Sequence, residues 1–196
     1  MTLSIAYFPP VEYFALLARY SSVYMDGSER YQKQSYRNRC SILTANGPMD
    51  LSFPIIHNGH YGIREVLVDY STDWIRKTEY AIDSAYYNSP FFEYYRDELF
   101  SLLDAEPALL WDLDMGIIDF FCRKTGISPK IVISDGAESV EDDFRALIHP
   151  KKVPVFKNTP YWQVFREKFG FVPNLSIMDL LFNEGPESIC YLRNNY

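Results

Sequence analysis

The chain has 196 residues, near the length of one ordinary domain and enough to bury roughly 70% of the surface that its unfolded form exposes. Apolar residues make up 47% and charged residues 23%, with no Gly/Ser, Gln/Asn or single-charge run, which excludes a disordered or fibrous chain and predicts a single domain over residues 1–196. A net charge of −7 excludes wrapping a long polyanion such as duplex DNA, and leaves a small anionic ligand as the compatible partner class.

Leu3 to Tyr7 alternates as a strand, Pro9-Pro10 breaks it, and Val11, Phe14, Leu17 and Ala18 recur at helical spacing to about Tyr20. Val23-Tyr24-Met25 follows as a second strand. Strand, helix and strand within this short span predict a right-handed crossover with parallel strands, whose carboxyl ends share the edge where open α/β sheets bind ligands. Cys40 to Thr44 and Leu51 to Ile56 read as a hairpin joined through Asn46-Gly47, with Pro54 marking an edge or an end. His57 to Gly62 is a polar loop, and Ile63 to Val68 is a further strand candidate. Three helices come next: Trp74 to about Asn88, a second that Ser89-Pro90 opens, and a third from about Ala108 to Thr125 that Gly126 stops. Lys130 to Ser134 reads as a buried strand, 135–143 as an acidic solvated loop entering a short helix, and Ile177 to Leu181 as a short helix closed by Gly185-Pro186. The predicted fold is therefore mixed α/β: an N-terminal βαβ unit and a hairpin form a small mixed sheet, packed by a block of about three central helices.

Cys40, Cys122 and Cys190 are odd in number and widely spaced, which predicts reduced core thiols rather than a disulfide framework. The start lacks a basic leader region, Pro9-Pro10 interrupts any apolar run, and no stretch of about 20 apolar residues spans a bilayer, so a cytoplasmic, non-membrane-spanning protein is expected. There is no G-x-G-x-x-G after a strand, no P-loop, no H-E-x-x-H and no nucleophile elbow. His57 and His60 have no Cys or acidic neighbour in sequence, so no metal is expected, and no cofactor is assigned.

The densest polar cluster runs from Asp26 to Arg39, where Arg30, Lys33, Arg37 and Arg39 face only Asp26 and Glu29. Such a run opposes the global charge and follows a parallel strand, at the ligand edge. Arginine can hold phosphate or carboxylate with two bonds, Lys adds a point charge, and Tyr31 and Tyr36 offer stacking faces. The alternative reading is a solvated basic loop with internal ion pairs.

Pro9-Pro10-Val11-Glu12-Tyr13-Phe14, then Asp26, then Tyr31-Gln32-Lys33-Gln34-Ser35-Tyr36-Arg37-Asn38-Arg39, then Phe53-Pro54-Ile55 together resemble the WbqC-like family. Trp74-Ile75-Arg76-Lys77, Tyr86, Ser89-Pro90-Phe91-Phe92 and the terminal run Pro173 to Pro186 carry the same resemblance, which leaves only 127–160 unmatched. Thr78 stands where the family pattern has histidine. The acidic 135–143 stretch and Ile148-His149-Pro150-Lys151-Lys152 replace its Gly-rich segment. The resemblance implies an enzyme of bacterial surface-polysaccharide (O-antigen type) biosynthesis, transferring a glycosyl, acyl or aminoacyl group to a nucleotide- or lipid-linked sugar. The alternative is a non-catalytic module that binds a sugar-phosphate or nucleotide-sugar intermediate, or a partner enzyme. On this reading Asp26 and Lys33 are the catalytic candidates, with Asp26 orienting or deprotonating a hydroxyl or amine. Arg37 and Arg39 join Lys33 in meeting phosphate or carboxylate, Asn38 binds the sugar, and Tyr7 and Tyr36 flank the pocket. Asp179, among apolar neighbours in the terminal run, is expected to cap a helix or pair with an Arg or Lys.

Overall fold

The computed structural model describes residues 1–56, 59, 62–136, 142–156 and 159–194. At its centre is a parallel sheet of order β1-β2-β7, built from β1 (Thr2–Leu3), β2 (Ser22–Asp26) and β7 (Lys130–Ser134). Helix α1 (Val11–Arg19) makes the crossover between β1 and β2, which register Thr2 with Tyr24 and Leu3 with Met25. The first strand is shorter than its alternation predicts. Ser4 to Tyr7 leave the ladder, and the Tyr7 amide donates instead to the Tyr36 carbonyl at 2.8 Å. Beyond β1, Asp143 bridges Thr2 in parallel, so a later segment flanks the edge of that strand.

The hairpin forms its own ladder of β3 (Arg39–Thr44) and β4 (Gly47–Ser52) and does not join the parallel sheet. Its loop is Ala45-Asn46, one residue earlier than the Asn-Gly signal suggests. The Thr44 hydroxyl closes it by accepting from the Asn46 amide and donating to the Gly47 carbonyl. Pro48 is accommodated because β4 has a single partner strand. Ile55–Ile56 (β5) pairs antiparallel with Leu67–Val68 (β6), and Ile63–Glu65 is a 3-10 turn where a longer strand is expected.

Helices α2 (Trp74–Tyr86), α3 (Phe92–Asp104) and α4 (Leu110–Thr125) form the expected central block, and Gly126 ends α4 in the left-handed region. A short α5 (Arg166–Phe169) precedes α6 (Ile177–Glu184) and α7 (Ser188–Asn194), the last of which the sequence pattern does not announce. Seven consecutive residues of α1, Val11 to Leu17, are buried, because the helix packs on the terminal helices α6 and α7 and reaches β2 through the Tyr13 hydroxyl at the Met25 sulfur. The aromatic content is mostly core: Tyr7 packs on Phe8, Phe53 and Trp74, Phe121 on Phe8 and Phe14, and Phe182 on Tyr86 and Phe92. Cys40 and Cys122 are buried thiols, whereas Cys190 is exposed on α7 and is not a core residue. No helix among the described residues is long and apolar enough to cross a membrane.

Candidate functional site

At the carboxyl end of β2 the chain turns at Asp26 and runs back over the sheet edge to Arg39. The Asp26 side chain is buried, with Oδ1 accepting from the Ser28 amide at 2.9 Å and hydroxyl at 2.7 Å. Its Oδ2 accepts from Arg145, which also binds Asp143 through Nη2 at 2.6 Å. Burial pushes the Asp26 carboxyl upward, but the Ser28 donors and the Arg145 guanidinium outweigh it and hold the group below the usual carboxylate range.

A second pair lies alongside. Arg37 grips Glu29 with Nε to Oε1 at 3.0 Å and Nη2 to Oε2 at 2.6 Å, and the Ser4 hydroxyl joins them at 2.9 Å from Nη2 and 2.8 Å from Oε2. Both pairs border one open cleft of about 440 Å³, lined by Glu29, Arg30, Tyr31, Gln32, Arg37, Asp143, Arg145 and Ala146. The lining holds three guanidinium groups against the two carboxylates Glu29 and Asp143, and Asp26 behind Arg145 balances the third charge. Those two carboxylates also fix Arg37 and Arg145 in place.

The expected site residues do not all meet there. Arg37 lines this cleft, and Asp26 stands behind Arg145. Tyr36 and Arg39 line a different cleft of about 250 Å³. Lys33 is exposed, belongs to neither lining, and its ammonium has no bonding partner among the described residues. The Asn38 amide donates to the Phe53 carbonyl at 2.8 Å, which fastens the segment to the hairpin exit. Tyr7 is fully buried among aromatic rings and lines neither cleft. Thr78 is buried beside the Tyr7 hydroxyl, without a well-aligned hydrogen bond between them.

Asp179 differs from expectation in its partners. Ser176, not Asp179, caps α6, and the buried Asp179 carboxylate accepts from the Tyr161 hydroxyl and the Gln163 amide, each at 2.7 Å. Burial pushes it up to about 6, against the pull of these neutral donors, and no cation among the described residues is in contact.

Sequence reasoning missed Arg145, Asp143 and the whole role of 142–156. This segment crosses the edge as a strap: Arg145 binds Asp26, Lys151 donates to Gln34, and the Val155 amide donates to buried Glu12 on α1 at 2.7 Å. Its basic residues amid an acidic chain are the signal that could have exposed it. Among the described residues no three His, Cys, Asp or Glu side chains are placed to hold a metal ion, and His57 and His60 lie outside those residues.

A sequence profile of the WbqC-like protein family matches residues 6–153, which takes in the cleft and most of the strap but not the terminal run at 173–186. An uncharacterized protein of Mycobacterium tuberculosis (strain ATCC 25618 / H37Rv), Rv1507c, is 28% identical over 95% of this chain and 94% of its own length. No solved structure matches. With three quarters of its length matched by the profile, the chain belongs to the WbqC-like protein family.

Proposed function

We propose that the protein serves bacterial surface-polysaccharide biosynthesis of the O-antigen type, and that its carboxyl-edge cleft binds an anionic sugar for transfer of a glycosyl, acyl or aminoacyl group. One observation carries this reading: Arg30, Arg37 and Arg145 share a single cleft of about 440 Å³ at the edge where parallel strands end. That size falls within the range of roughly 300–1,000 Å³ for small-molecule sites, and is ample for a nucleotide- or lipid-linked sugar head group. Arg37 and Arg145 are held by Glu29, Asp26 and Asp143, so little side-chain freedom remains to be lost when they meet phosphate or carboxylate. On this reading Asp26 acts by orienting Arg145.

Non-catalytic binding of the same sugar is the second reading. What favours it is that both Asp26 oxygens are already engaged, while Lys33 stands outside the cleft lining. Thermal-shift titration against nucleotide sugars tests binding: a ligand at 100 times its Kd adds about 2.7 kcal/mol of stability. Arg145→Ala should remove that gain. Mass spectrometry of mixtures of nucleotide sugars with acyl or aminoacyl donors then separates the two readings. A modified sugar that Arg37→Ala abolishes supports transfer, and saturable binding with no product supports the second reading.

A further inference from the structure

The smaller cleft is walled by four distant parts of the chain: Tyr36 and Arg39, Asp50 on β4, Lys152 of the strap, and Asn174 before α6, with several prolines between them. Neither the Arg39 nor the Lys152 side chain has an ion-pair partner among the described residues, in contrast to Arg37 and Arg145. Their field is felt nearby. Burial and then Lys151, Lys152, Arg37 and Arg39 hold His149 below its usual range.

The wall is also built rigidly. Asn174 has φ of 54°, a left-handed conformation uncommon outside glycine. It is locked there by Glu12, whose amide donates to Asn174 Oδ1 at 3.1 Å and whose Oε1 accepts from Nδ2 at 2.8 Å. The other Glu12 oxygen holds Val155 of the strap, so one buried carboxylate on α1 ties two walls together. Asn is among the residues besides glycine that take this conformation most readily, and the Glu12 bonds fix it as a rigid part of the wall beside the unpaired cations.

We propose that this cleft binds a sugar carrying a single phosphate. Arg39 and Lys152 supply the phosphate partners, Asp50 accepts from sugar hydroxyls, and the Tyr36 ring with the proline surfaces covers the apolar face of the pyranose. A volume of about 250 Å³ lies below the usual range for drug-sized ligands and matches a monosaccharide phosphate better than a whole nucleotide sugar. The assignment stands apart from the reading of the carboxyl-edge cleft, with which it shares no cationic side chain.

Isothermal titration of the full chain with glucose 1-phosphate, inorganic phosphate and glucose tests it. Glucose 1-phosphate should bind, inorganic phosphate more weakly, and glucose not measurably. Arg39→Gln and Lys152→Glu should each weaken glucose 1-phosphate by about tenfold or more, the loss expected of one charge-assisted bond. Lys152 is exposed, so its variant keeps the fold even if Arg39→Gln does not. Arg30→Ala, at a residue that lies in the carboxyl-edge cleft and not on the strap, should leave this affinity within about twofold, below the size of one such bond. Absence of binding by both phosphate probes at about 10 mM, well above a millimolar Kd, overturns the proposal. So does binding that Arg30→Ala removes and Lys152→Glu leaves intact, which would move the ligand to the other cleft. Equal affinity for inorganic phosphate and glucose 1-phosphate overturns the sugar half of the assignment.

Discussion

Glu12 and Asn174 exchange two hydrogen bonds across 162 positions of sequence, amide to side chain in one direction and side chain to side chain in the other. Asn174→Ala removes both bonds and puts a Cβ-bearing residue without a local polar group into the left-handed region. The expected loss is about 2–4 kcal/mol, from two bonds near 1 kcal/mol each plus the conformational term. Asn174→Gly, which tolerates that conformation, should recover about 1 kcal/mol of it. Urea denaturation of the three proteins separates the two contributions. Equal losses for Ala and Gly would show that the backbone conformation adds nothing.

Asp114 on α4 is fully buried and neither of its oxygens has a hydrogen-bond partner among the described residues. Burial raises its carboxyl well above the usual range, and Arg37 offsets this only in part. Between the ordinary carboxylate pKa of about 3.9 and the raised folded value, the folded state keeps a proton that the unfolded state has lost. Stability therefore falls as pH rises through that window, by about 1.36 kcal/mol per pH unit for this group. Asp114→Asn should abolish this slope, matching the parent near pH 4 and exceeding it at pH 8. Denaturation midpoints measured from pH 4 to 8 check it, and parallel profiles for the two proteins would refute it.

The Asp26–Arg145 pair carries the opposite sign. Asp26 is held below its ordinary value, so its contribution is present above the unfolded pKa of about 3.9 and lost as pH falls through the lower folded value. Because Arg145 is about a quarter exposed, a coupling of about 1–3 kcal/mol is expected rather than the larger figure for a fully buried pair. A double-mutant cycle with Asp26→Asn and Arg145→Gln at pH 7 measures it. The same cycle at pH 3 should give a smaller coupling.

Legibility in the sequence divides by range. The βαβ crossover, the hairpin and the three central helices follow from patterns a few residues long, such as Pro9-Pro10 and Asn46-Gly47, and all are present, although α3 begins at Phe92 and not at Pro90, and Ser89 does not cap it. What the sequence hides is long-range. β7 completes the parallel sheet beside β2, and nothing local to Lys130–Ser134 specifies that neighbour. Lys33 and Arg37 look equivalent in a basic run, yet the turn points one to solvent and ties the other to Glu29. Asp26, Tyr36 and Arg39 lie within fourteen positions, but the segment between them places Asp26 by one cleft and the other two in the second. Arg145 could not be selected without knowing that 142–156 crosses the sheet edge.

Gly185 closes α6 with φ of 53°, and a Cβ there would stand 2.6 Å from the Phe91 ring. Both the conformation and the overlap oppose Gly185→Ala, which should destabilise by about 2–4 kcal/mol. The Gly185→Ala/Phe91→Leu double variant should relieve the overlap and leave the conformational part of about 1–2 kcal/mol, apart from the direct effect of Phe91→Leu measured alone. Thermal midpoints of the four proteins in the cycle provide the test.

The strap that crosses the sheet edge has a consequence for how the protein is made. A ribosome delivers Glu12, Asp26 and Arg37 early, but their partners or neighbours Arg145, Val155 and Asn174 emerge only near the end, 143 and 162 positions after Glu12 for the last two. At roughly 5–20 residues per second, the nascent N-terminal part waits several seconds with one side of β2 unpaired and a carboxylate lacking the groups that will enclose it. Closure over so long a separation is entropically slow, so the cleft residues between Glu29 and Arg37 are among the first synthesised and the last to be organised.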